Sequence, residues 1–353
     1  MVSVAKLLRE MPLGYEQACF NTQAIQRKRG ITDPNSLMLL SLIHLIHGCS
    51  LLEISTIGKL SGLADISDVA FMKRFESCND WFKWIISKLL AEGCTSYAKP
   101  TWLEPYRVLC IDASDVCEKG RSGRLYRLHY AIDLFKMESV QYTITEQSVG
   151  ESLFNYKVSP KDLIIGDRAY GYIKGMRYCL DNQGNFILRL RNKAFKLYDA
   201  QGNSINLLEH LRKLDVTEYL DLAVFVSDGN GEKISLRICA KRKSREDNAT
   251  TQKRLNRQDV RKQKPLSPET REINEYIILA TALPQTVLAG QVVELYRIRW
   301  QIENYFKRLK SIMDFGELPK RRPKSAMAWL NGKLMVALLM EIILAKAVFS
   351  PAE

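Results

Sequence analysis

Histidine is scarce in this sequence, with four in 353 residues. His44 and His47 fall on one helix face, but the Leu and Ile around them make them buried helix residues. No Cys or His stands near to complete a zinc set. The eight cysteines form no C-x-x-C pair and show no metal-ligand spacing. With no secretory signal, they read as reduced thiols of a cytoplasmic protein, and Cys110, in an apolar run, reads as core. Long unbroken apolar runs are missing too. Leu330–Phe349 is interrupted by Lys333, Glu341 and Lys346, which predicts a buried C-terminal helix and no membrane span. No internal repeat is evident. Acidic residues are in deficit, 39 Asp/Glu against 52 Lys/Arg, for a net charge of +13 and a pI near 9.3. That balance points to a polyanionic partner.

The positive charge is concentrated. Lys241–Arg271 carries eleven Lys/Arg against four Asp/Glu, and Tyr296–Lys324 carries nine against three. These two stretches account for the whole excess. A basic loop on a nucleic-acid enzyme touches backbone phosphate. The 46% hydrophobic content is enough for a large core and two or three domains.

Residues 1–100 read as mostly helical. Asp33-Pro34-Asn35-Ser36 is a helix start before Leu37–His47, and Gly48 ends that helix. Leu51–Leu60 and Asp68–Phe75, joined through Ser61-Gly62-Leu63, are compatible with a DNA-reading helix-turn-helix. Trp81–Leu90 is a further amphipathic helix, and Gly93–Glu104 looks like a linker. From Tyr106 the pattern becomes strands: Arg107–Ile111, ending on Asp112, then Leu125–Leu134 and Val140–Thr145. A helix is expected over Gly150–Tyr156. Asp162–Gly166 is an apolar strand that delivers Asp167, followed by a helix over Ala169–Leu180 and a strand over Asn185–Leu190. Asp115 and Asp133 read as turn residues.

This order, with acids at the ends of the first and fourth strands, is that of an α/β fold with a ribonuclease-H-like catalytic core. The domains expected are a helical N-terminal DNA-binding domain (1–100), the first part of the core (101–190), a β-rich insertion with a mobile basic loop (191–285) and the C-terminal helices of the core (286–353). Strands are expected in the insertion at Leu220–Ser227, Lys233–Ala240 and Ile277–Leu283, and a basic stretch of low hydrophobicity at Ala249–Gln263.

One helix, Tyr296–Lys310, organises the chain. Tyr296, Arg299, Glu303 and Lys310 span roughly 60° of one face at helical periodicity, with an apolar stripe beside them. A carboxylate suits a divalent metal, and Arg and Lys suit phosphate. Asp112, Asp167 and Glu303, on adjacent elements, would hold two magnesium ions roughly 4 Å apart.

The spacing Tyr296-x2-Arg299-x3-Glu303-x6-Lys310 resembles the YREK motif of the insertion-sequence-4 family of bacterial DDE transposases. Ile164-Ile165-Gly166-Asp167-Arg168-Ala169-Tyr170 looks like that family's second-Asp motif. Leu109-Cys110-Ile111-Asp112-Ala113-Ser114 looks like the first, with Ala113 departing from the expected Gly or Ser. The resemblance implies a DNA transposase of cut-and-paste type, with Asp112, Asp167 and Glu303 as catalytic metal ligands. It also implies Mg2+ as cofactor, with Mn2+ as substitute. Tyr296, Arg299, Lys310 and Arg168 would contact DNA, and Trp300 would stack on a flipped base where a hairpin intermediate forms. The implied partners are the terminal inverted repeats and target DNA, held by a homodimer at the nucleoid. The rival readings are a ribonuclease-H-type nuclease without strand transfer, a domesticated, non-catalytic DNA-binding protein, and a structural or RNA-binding protein with basic loops.

Overall fold

The structure, a computed structural model, describes residues 4–349 except 28, 93–98, 119–123, 137, 192–194, 228–230, 264, 300–316 and 319–321. Its centre is one mixed sheet. The strands are β1 (Arg107–Glu118), β2 (Arg124–Asp133), β3 (Glu138–Glu146), β4 (Asp162–Gly166), β5 (Asn185–Arg189), β6 (Leu197–Tyr198), β7 (Ser204–Ile205), β8 (Tyr219–Ser227), β9 (Lys233–Arg242), β10 (Tyr276–Thr281) and β11 (Glu317–Leu318). Their order is β3-β2-β1-β4-β5-β10-β9-β8-β6-β7, with β11 beside β1. The β1–β4 and β4–β5 pairs are parallel, while β1–β2 and β2–β3 are antiparallel. This meander followed by parallel strands is the ribonuclease-H-like layout expected from the sequence. All five residues of β4 are buried, because a central parallel strand is covered on both faces.

Two expected elements differ. β1 does not end at Ile111. It leaves β4 after Cys110 but stays paired with β2 as far as Cys117, so Asp112 is a mid-strand residue. The Gly150–Tyr156 helix is only a single 3-10 turn, Leu153–Asn155, whose Ser152 hydroxyl caps the Phe154 amide. A local side-chain cap suits a short turn without extending it.

The strands of 191–285 do not fold away from the core. β10 pairs antiparallel with β5, and β9 and β8 follow in the same sheet. The basic stretch is not a mobile loop. It forms α9 (Arg245–Lys262), after α1 (Val4–Arg9), α2 (Tyr15–Asn21), α3 (Pro34–His47), α4 (Leu51–Leu60), α5 (Asp68–Ser77), α6 (Asn79–Glu92), α7 (Ile173–Asp181) and α8 (Leu207–Arg212). The Ser244 hydroxyl caps the Asp247 amide, acids occupy the first turn, and Arg261 and Lys262 occupy the last. These charges complement the helix dipole. Thr251 and Leu255 supply the buried face, so few apolar residues suffice for a surface helix. Among the described residues the helices that follow are α10 (Pro268–Ile273), α11 (Ala289–Arg297) and α12 (Pro323–Phe349).

Each face of the sheet carries a core. One face, with Leu109, Ile111, Ile164, Phe186 and Leu188, packs beneath α7. The opposite face, with Cys110, Ile165, Ile187 and Cys239, shares one continuous core with α11 and the N-terminal helices. α12 packs on α6, α3, α5 and α1. It therefore completes the N-terminal helical layer, whereas the 286–353 grouping expects it among the helices of the catalytic core. By length and composition Pro323–Ile343 would cross a membrane, but 72% of that window is buried inside the protein, as a core helix requires. Asp33 caps α3, and Ser50 and Glu53 form a capping box on α4. Within this layer His44 contacts Phe71 and Phe75 edge-on and bonds the Cys49 carbonyl, a packing role. On α5, Arg74 donates to the Arg27 carbonyl and Glu76 accepts from Ser325.

Trp81 lies at the centre of the layer. It is fully buried, stacks on Tyr15 and Phe82, and donates its indole N–H to the Tyr15 carbonyl at 2.7 Å. Trp81→Ala is expected to cost about 3–5 kcal/mol in urea unfolding, by opening a cavity and removing the indole hydrogen bond.

Candidate active site

The parallel register places the two aspartates side by side. The last β1–β4 pair is Cys110–Ile165, and Asp112 and Asp167 each stand two residues beyond it. The last β4–β5 pair is Gly166–Leu188, and Asp167 and Arg189 each stand one residue beyond that. Side chains alternate along a strand. Cys110, Ile165 and Ile187 lie on the sheet face whose core includes α11, so Asp112, Asp167 and Arg189 project in one row from that face.

Backbone amides hold both carboxylates. Asp112 Oδ1 accepts from its neighbour, the Ala113 amide, at 2.8 Å, and Asp167 Oδ1 accepts from the Ala169 amide at 2.7 Å. Beneath them, the Tyr156 hydroxyl donates to the Asp112 carbonyl at 2.7 Å and lies 3.1 Å from the Tyr170 hydroxyl. Burial is the main force raising the Asp112 carboxyl to about 6. The negative charges of Asp167 and Glu151 push it the same way, while the Ala113 amide and Arg299 pull it down. Two carboxylates that repel each other beside a part-buried oxygen set are the donors a hard divalent cation takes. On that chemistry Asp112 and Asp167 fit such an ion.

The α11 end of the expected YREK helix is partly seen. The helix begins at Ala289 and ends at Arg297, with Ile298 as its cap and Arg299 in the following turn. At this end, then, the motif straddles a helix terminus and is not one unbroken helical stripe. Tyr296 is 6% exposed, and its hydroxyl is buried without a hydrogen-bond partner among the described residues. Arg299 Nη1 lies 4.0 Å from Asp112 Oδ2, and its guanidinium lies over the Tyr296 ring at 5.8 Å. Arg168 turns toward the insertion and donates to Asn274 Oδ1 at 2.9 Å. Trp300, Glu303 and Lys310 lie outside the described residues.

Other expectations sort by geometry. Asp133 accepts from the Phe135 and Lys136 amides and is the turn residue expected. Asp115 is instead inside β1 and pairs with Arg127 at 3.0 Å. Sequence reading also missed Glu151, whose charge reaches Asp112, and Tyr156. Nothing in spacing singles either out, because both come from the loop that follows β3.

Residues 103–339 match the family described as Transposase DDE domain. That range covers most of the chain and both aspartates. The chain belongs to the DDE transposase family. It is 28% identical to the protein named as transposase InsL for insertion sequence element IS186A of Escherichia coli (strain K12), over 92% of this chain and 88% of that one. The transposase for insertion sequence element IS421 of Escherichia coli is equally similar, at 28% over 92% and 88%. The family resemblance read from the sequence is thereby borne out, and with it a DNA transposase function on a ribonuclease-H-like core. DDE transposases act on DNA and use divalent metal ions.

Proposed function

We propose that this transposase cuts the ends of its own insertion element and joins them to target DNA, using Asp112, Asp167 and Glu303 as the metal-holding set. The observation that carries this is the single row formed by Asp112 and Asp167, half-enclosed, with Arg299 from the turn after α11 at 4.0 Å from Asp112. Two Mg2+ ions, or Mn2+ in their place, would activate the attacking oxygen and offset charge on the leaving one when bound. Asp112 and Asp167, each with one oxygen held by the Ala113 or Ala169 amide, would hold those ions through their other carboxylate oxygen.

Two steps account for the reaction. Water attacks the phosphorus at the element end, the P–O3′ bond breaks, and a 3′ hydroxyl and a 5′ phosphate result. That 3′ oxygen then attacks a target phosphorus, loses its proton, and displaces the target's own 3′ oxygen. Tyr296, Arg299, Lys310 and Arg168 grip phosphates beside the scissile bond. Base-flipping against Trp300 belongs to a hairpin route. The substrates are terminal inverted repeats and target duplex. A homodimer pairs two ends, the α4–α5 pair reads DNA, and the work is done in the cytoplasm at the nucleoid.

Incubating the protein with Mg2+ and the element's own ends tests this. Nicked and then joined products are expected. Nicked products that never join would replace strand transfer with simple hydrolysis, and hairpin ends would add the flipped-base route. No metal-dependent cleavage under either ion would remove the assignment.

A further inference from the structure

The row of active-site residues does not stop at Asp167. It continues into cations delivered by the insertion, at the same end of the sheet. β9 ends at Arg242, opposite the start of β10 at Tyr276, and Lys243 follows. Lys243 Nζ donates to the Asn274 carbonyl at 2.6 Å and to Thr251 Oγ1 of α9 at 2.9 Å. Asn274 is 5% exposed. Its side chain accepts from Arg168 and donates to the Thr270 carbonyl. One buried residue therefore positions both Lys243 and Arg168.

Arg254 joins them from α9. Thr251 and Leu255 dock that helix, and Arg271 pins it through Gln252, Asn256 and Asp259. Arg254 is exposed on a fixed helix. Its charge is nonetheless felt by both Arg168 and Lys243. Burial, with the like charges of Arg189, Arg168 and Arg254, draws Lys243 down to about 8. The Nε atoms of Arg168 and Arg189 are buried without hydrogen-bond partners among the described residues. Arg254 and Arg189 form no ion pair among the described residues. Asp167 offsets Arg168 and Asp247 offsets Lys243, but four cations gathered at one place repel one another unless an anion enters. A chain of phosphodiesters offers paired acceptor oxygens at a repeating spacing, which matches several guanidinium donors and an ammonium in line.

We propose that Lys243 and Arg254 of the insertion close a phosphate clamp with Arg168 and Arg189, and that this clamp holds successive backbone phosphates of the DNA strand entering beside Asp167. The clamp rests on the active-site reading above for its orientation. It gives α9, the densest part of the first basic stretch, a DNA-binding role.

The test uses the full-length protein and a duplex carrying the element's own end, titrated without divalent ions over a range of salt. Arg254→Ala is expected to weaken binding roughly tenfold and to reduce the slope of log affinity against log salt by about one. Arg254→Lys should restore most of it. Lys243→Gln, which keeps a donor for Asn274 but loses the charge, should act like Arg254→Ala. Wild-type affinity and slope in Arg254→Ala would overturn the clamp. Should Lys243→Gln fail to fold, the exposed Arg254 decides the matter alone. The active-site reading is scored separately, by Mg2+-dependent cleavage in Asp167→Ala. Loss of cleavage there with unchanged binding in Arg254→Ala would sink the clamp alone. Retained cleavage there with weakened binding in Arg254→Ala would sink the active-site reading and leave the clamp as a phosphate site.

Discussion

Asp112→Ala or Asp167→Ala should lower DNA cleavage by at least about a thousandfold while leaving DNA affinity within about threefold. The same loss is expected for Glu303→Ala. Each aspartate gives one oxygen to a backbone amide, and alanine removes the whole carboxylate, including the oxygen proposed to hold the metal. A gel assay of end cleavage beside a binding titration separates the two effects, and cleavage retained in any one variant would show that residue is not a ligand. The isosteric Asp112→Asn carries a second expectation, in stability. The Asp112 carboxyl is raised from 3.8 to about 6, so above pH 6 the folded protein holds an ionised group that the fold disfavours. Removing that charge should raise metal-free stability by roughly 1–3 kcal/mol at pH 7–8, reduced somewhat because Arg299 loses a partner. As pH falls from 6 toward 4 the wild-type carboxyl protonates in the fold, the penalty disappears, and the two melting curves should converge. Added Mg2+ should stabilise the wild type and not Asp112→Asn. Curves that stay separated at pH 4 would show that the burial penalty is not the cause.

Binding to duplex DNA should fall about a thousandfold or more between 50 and 200 mM salt. Such a drop corresponds to about six or more phosphate contacts, each releasing counterions. The net charge is +13. Arg168, Arg189, Lys243 and Arg254 are gathered at the active end of the sheet, and Arg299 is beside Asp112. A fluorescence titration of end-bearing and unrelated duplexes over that range checks it. A flat response would mean the positive charge does not meet the backbone.

Much of the core was legible because strand period and burial are local properties. Asp162–Gly166 and Leu51–Leu60 were read to the residue, since apolar runs bounded by turn or cap residues have few alternatives. α9 was misread as a loop because its hydrophobicity is low. Its caps and charge order, Ser244 with Glu246 and Asp247 at the start and Arg261 and Lys262 at the end, were the signal available. The end of β1 was misplaced because the polar residues after Ile111 look like a turn. Pairing with β2, not composition, keeps Asp112–Glu118 extended.

Sequence alone determined that this chain is a basic DNA-acting transposase and that Asp112 and Asp167 each follow a short apolar run. Spacing and residue type carry that chemistry wherever the segments lie. Only the tertiary structure decided that Asp112, Asp167 and Arg189 stand in one row, that the insertion continues the sheet, and that Asn274 fastens Arg168 to Lys243. Parallel register and the antiparallel docking of β10 on β5 bring together residues as far apart as Arg168 and Asn274, 106 positions from each other, and no local pattern encodes such pairings.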